Sequence, residues 1–126
     1  MITKISLISI GKLKKLDSEK AVDNKTTIAL NRDIMSKILQ RRKQIVIHSM
    51  IYYRMGTSIV DDYTFDKWAR ELVSLQKDYP QESKNTKYYE EFKDWDGTTG
   101  MNFWQDNLIA TAMWLIAEHN RRKEYE

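Results

Sequence analysis

The sequence predicts a mainly α fold: a helical hairpin and a C-terminal helix, with a short β element at the N-terminus. Three observations carry that prediction. Apolar residues recur at spacings of three, four and seven through residues 34–53 and again through 65–75. One proline and 4 glycines in 126 residues leave little of the turn chemistry that a sandwich or barrel needs. Gly56 and Pro80 fall where two helices of ordinary length would end.

With 41% hydrophobic and 31% charged residues, the chain suits one domain over residues 1–126. Met1 to Ile10 is β-branched and partly alternating, which reads as a strand. Its candidate partner is Thr26-Thr27-Ile28-Ala29-Leu30, across the polar loop Lys12 to Asn24. The apolar run Ile2 to Ile10 is too short to span a membrane and lacks a small-residue cleavage site. There is no cysteine, so disulfides, thiolate metal sites and cysteine nucleophiles are excluded. The expectation is a cytoplasmic protein with no membrane contact.

The hairpin spans residues 31–80. Asn31 suits an N-cap, and Asp33 lies in the turn after it. Ile34, Ile38, Ile45 and Tyr52, with Met35, Leu39, Val46, Met50 and Tyr53, then form one broad apolar stripe. Ser58 and Asp61 are alternative caps for the second helix, whose apolar face is Phe65, Trp68, Ala69, Leu72, Val73 and Leu75. Residues 81–105 form an irregular aromatic segment containing Tyr88-Tyr89-Glu90-Glu91-Phe92 and Trp95-Asp96-Gly97-Thr98-Thr99-Gly100. The C-terminal helix covers residues 106–123, its inner face Leu108, Ile109, Ala112, Met113, Leu115, Ile116 and His119.

Charge divides unevenly along the chain. Residues 1–60 hold 12 Lys and Arg against 4 Asp and Glu, and residues 61–126 hold 9 against 14. Such a division marks either a partner surface or two mutually attracting faces of one fold. The run Arg41-Arg42-Lys43, with Lys37 and Arg54, is a candidate phosphate contact or an ordinary solvated surface. Asp61, Asp62 and Asp66 are too few to specify a magnesium site. His48 and His119 are the only histidines and form no recognisable metal or triad pattern.

The most specific signal lies in residues 41–80. Tyr52-Tyr53 end a helix, a short turn leads to Asp62, and Phe65-Asp66, Glu71-Leu72 and Pro80 follow. This pattern resembles domain Ia of NAD-dependent bacterial DNA ligases. The segment Tyr88 to Gly100 extends the likeness to short phage-type proteins related to that ligase. In the ligases, domain Ia grips the nicotinamide mononucleotide half of NAD. The resemblance therefore implies Tyr52 and Tyr53 as a stacking pair, with Asp62 and Asp66 as acceptors for ribose hydroxyls. Phe65 stands where the ligases usually have tyrosine, so one hydroxyl is missing. The same residues also read as structure: Tyr52 and Tyr53 as hairpin core, Asp62 as a helix-start carboxylate, Asp66 as a solvated ion partner. His48, one turn before Tyr52, is a further candidate for the pocket wall.

Ligation needs a Lys-x-Asp-Gly nucleophile motif and a far larger catalytic domain. Lys93-Asp94-Trp95-Asp96-Gly97 has one residue too many, and no catalytic residue is expected. The leading expectation is a non-catalytic accessory protein binding a host macromolecule stoichiometrically. Inhibition of a nucleic-acid enzyme or a defence system such as a CRISPR nuclease is one form of that role. Arg41, Arg42, Trp95 and Trp104 are its candidate contacts. The alternative is a small-molecule binder of NAD or nicotinamide mononucleotide, and direct nucleic-acid binding ranks third.

Overall fold

One long helix organises the molecule. In a computed structural model, which describes residues 24–101 and 103–124, α1 runs Asn24–Arg54 and α2 runs Asp62–Asp78. Two short helices follow, α3 at Pro80–Lys84 and α4 at Tyr89–Phe92. A 3-10 turn at Asp106–Leu108 leads into α5, Ile109–Glu124. There is no strand among the described residues. The expected strand Met1 to Ile10 lies outside them. No helix among them is long and apolar enough to cross a membrane.

The periodicity of α1 becomes its buried face: Ile34, Ile38, Ile45, Val46, Met50 and Ile51 are all buried. Ala69, Leu72 and Leu75 answer from α2, and Phe92, Leu108 and Ala112 close the same core. Fully burying a large side chain of this kind contributes about 1.5–3 kcal/mol. Contacts that climb α1, from Arg41–Glu71 to His48–Trp68, descend α2, so the pair is antiparallel. Gly56 makes the turn at φ 70°, where a side chain would be strained, and the Thr57 N–H reaches back to the Ile51 carbonyl at 3.2 Å. Asp61, rather than Ser58, caps α2 by accepting from the Thr64 N–H at 2.7 Å. The Ser58 hydroxyl donates instead to the Val60 carbonyl. Pro80 ends α2 and then opens α3, at a position whose N–H would have no helical partner.

Three expectations need correction. Thr26 to Leu30 is helix, and so Asn31 lies inside α1 rather than capping it. Leu30 continues the stripe one turn before Ile34 and packs against the core, and that burial outweighs the β preference of Thr26, Thr27 and Ile28. On α5, Met113 is 60% exposed and does not belong to the inner face. The third concerns Arg41 and Arg42, expected on an accessible basic surface. Both are buried, and only Lys43 of the run is exposed.

The reason is polar satisfaction. Arg41 pairs with Glu71 at 2.8 Å. Arg42 is fully buried and spends five hydrogen bonds across the helices: to Gln76 Oε1, to the carbonyls of Ser83, Thr86 and Lys87, and to Ser83 Oγ, at 2.8–3.1 Å. Burial pushes its pKa down to about 10, against the opposing pull of Glu91 and Tyr89, so the guanidinium stays charged at neutral pH. It ties α1 to α2, to α3 and to the connection between α3 and α4. Neither arginine offers a partner surface.

Candidate functional site

The turn between α1 and α2 holds a cavity of about 160 Å3. His48, Ser49, Tyr52 and Tyr53 line it from α1, Ser58, Ile59 and Val60 from the turn, and Asp62 and Phe65 from α2. Gly100 closes it from the chain after α4. An enclosed apolar cavity of about 150 Å3 admits one benzene ring, so this half-open one has room for a six-membered ring.

Helical spacing produces the cluster. His48, Ser49, Tyr52 and Tyr53 sit one turn apart on α1, and Asp62 and Phe65 share a face of α2. Tyr52 and Tyr53 are 61% and 49% exposed, with ring centroids 5.1 Å apart in edge-to-face geometry. That exposure overturns their reading as hairpin core. Phe65 is half-buried, while Asp66, one turn beyond Asp62, is exposed and outside the lining. The structure thus brings Tyr52, Tyr53 and Asp62 together and leaves Asp66 apart. Among the described residues no group of three or more His, Asp or Glu is placed to hold a metal.

His48 forms the inner wall. Its ring meets Trp68 at 5.1 Å, and its Nδ1 is buried with no hydrogen-bond partner. Burial pushes its pKa down to about 4, leaving it neutral at physiological pH. The unfolded chain binds this proton near pH 6.5, while the folded chain resists it until about pH 4. Stability contributed by the neutral ring is therefore complete above pH 6.5 and lost as pH falls towards 4. A His48→Gln variant should show a shallower loss of melting temperature between those limits, measured by circular dichroism.

The Gly100 wall is held by several bonds. The Met101 N–H donates to Ser49 Oγ at 2.9 Å, and Trp95 Nε1–H donates to the Thr99 carbonyl at 3.1 Å. Asp96 Oδ1 accepts from the Thr98 N–H and hydroxyl, which lower its pKa, the backbone bond most. A Cβ on Gly100 would stand 2.7 Å from Tyr53 Cε2 and 3.2 Å from Ser49 Oγ. Glycine leaves this space to the Tyr53 ring, which a side chain would displace. Trp95, expected as an interface anchor, packs edge-on against Phe92 at 5.2 Å and is half-buried. Trp104 is 38% exposed, under the Arg54 guanidinium at 5.9 Å.

Sequence reasoning did not find Ser49, the turn residues 58–60 or Gly100 in the lining. The Ser49 signal was its spacing from Tyr52 and Tyr53, but a serine on an apolar stripe carries no chemistry by itself. Nothing local marks Gly100, which reaches the site through a contact 47 residues from Tyr53.

Residues 31–87 match the family described as "DNA ligase-like, N-terminal NAD+-binding domain". A DNA ligase of Pseudothermotoga lettingae is 35% identical over 49 residues, covering 39% of this chain. The matched part spans only 7% of that ligase. No solved structure matches the chain. Gly100 lies beyond the matched residues.

Proposed function

Given that residues 31–87 are related to domain Ia of NAD-dependent DNA ligases, we propose that this chain binds the nicotinamide mononucleotide part of NAD at the turn between α1 and α2, without catalysing a reaction. The observation that carries the reading is the pairing of exposed aromatic faces with Asp62 around a ring-sized cavity. An N-alkylated nicotinamide is a flat cation, favoured both by aromatic faces and by a carboxylate. Asp62 also supplies acceptors for ribose hydroxyls. The role is stoichiometric, as sensing or sequestration. Nicotinamide mononucleotide should raise the melting temperature by mass action, increasingly with concentration. No shift at millimolar ligand, with no heat in calorimetry, rejects the reading.

A second reading is docking to a host macromolecule, including a nucleic-acid enzyme or defence nuclease. Its support is the outer face of α5, where Met113 and Trp114 are 60% and 62% exposed. Large exposed apolar side chains of this kind serve as interface anchors. Pull-down from a bacterial lysate should then recover one protein near one-to-one with the wild type and lose it with Trp114→Ala.

A further inference from the structure

We infer that the cavity recognises a pyridinium nucleoside, the nicotinamide riboside part of the ligand, and leaves any phosphate attached to it unrecognised. This deepens the nicotinamide reading above and rests on it. The cavity has room for about one ring, so the remainder of a nucleotide extends outward. What lines it then decides which remainder is welcome.

The lining holds three aromatic rings, one carboxylate and one histidine, and neither lysine nor arginine. A phosphate needs cations or free N–H donors. The hydroxyls in the lining, from Ser49, Ser58, Tyr52 and Tyr53, are neutral donors, and that of Ser58 is spent on the Val60 carbonyl. At the start of α2 carboxylates crowd the amides. Asp61 accepts from the Thr64 N–H, and Asp62 places a second carboxylate in the same turn. Of the arginines on α1, Arg41 is buried against Glu71 and Arg42 against α3 and its neighbours, and Arg54 lies outside the lining, over Trp104. Phosphate entering here would meet Asp62 with no lysine or arginine in the lining among the described residues, a repulsion weakened but not cancelled by solvent.

A riboside carries the opposite charge pattern. Its ring nitrogen bonds the sugar and is permanently cationic, whereas the ring of free nicotinamide is neutral at pH 7. Asp62, Tyr52, Tyr53 and Phe65 all favour the cation. The neutral His48 ring supplies a wall without a competing charge.

The test is calorimetric titration of the full chain with nicotinamide riboside, nicotinamide mononucleotide and nicotinamide. The riboside should bind at least as tightly as the mononucleotide, and about tenfold more tightly than nicotinamide. Asp62→Asn should narrow the gap between riboside and nicotinamide, with folding intact because Asp61 is the cap. A mononucleotide about tenfold tighter than the riboside overturns this inference and leaves the nicotinamide reading standing. Equal binding of nicotinamide and riboside also overturns it, because the positive charge would then go unread. Heat from none of the three overturns the nicotinamide reading itself.

Discussion

Replacement of Arg42 by methionine is expected to destabilise the fold by about 3 kcal/mol or more, lowering the melting temperature by roughly 10 °C. Methionine keeps most of the buried stem but donates to nothing. The carbonyls of Ser83, Thr86 and Lys87 and the Gln76 side chain would lose a charged donor inside the protein. Each such bond contributes about 1.5–3 kcal/mol, less the cost of burying the charge, which the methionine relieves. Lys43→Met is the internal control, since Lys43 is exposed and should move stability by less than about 0.5 kcal/mol. Chemical denaturation of the two variants checks both statements. Equal, small effects would return Arg42 to the solvated surface.

Gly100→Val should separate binding from folding. Its Cβ would fall 2.7 Å from Tyr53 Cε2, so one of the two must move. Tyr53 is about half exposed and can swing outward at little cost, whereas the bond from Met101 to Ser49 holds the Gly100 segment in place. Stability should therefore change by less than about 1 kcal/mol. The valine methyl groups would occupy the ring-sized cavity and displace one of its aromatic faces. Affinity for nicotinamide mononucleotide should drop at least about tenfold, a loss of roughly 1.4 kcal/mol or more. Calorimetry beside thermal melting reads the two effects independently.

The hairpin was legible because its signals are local. Apolar spacing, Gly56, Asp61 and Pro80 each act within a few residues, and each sits where the structure uses it. Thr26 to Leu30 was misread because β-branched propensity is weaker than the burial of Leu30, which depends on the rest of the core. Arg41 and Arg42 held a clue that charge concealed. They lie one turn from both Ile38 and Ile45, on the buried stripe itself, but charged residues are ordinarily assigned to water. Their partners Glu71, Gln76 and Ser83 are 30 to 41 residues away, which no local pattern encodes. The site divides differently. Tyr52, Tyr53 and Asp62 are legible only through the resemblance to ligase domain Ia, since helix spacing alone reads the tyrosines as core. Asp66, implied by the same resemblance, falls outside the cavity, and Gly100 arrives through tertiary structure.

Binding is assigned to the turn between α1 and α2, and a nitrogen-15 NMR titration with nicotinamide mononucleotide reads both the place and the ligand. The predicted result is a saturable set of amide shifts confined to residues 48–53, 58–65 and 98–101, and absent in Tyr52→Ala. Shifts centred on the α5 face around Trp114, or none at millimolar ligand, would contradict it.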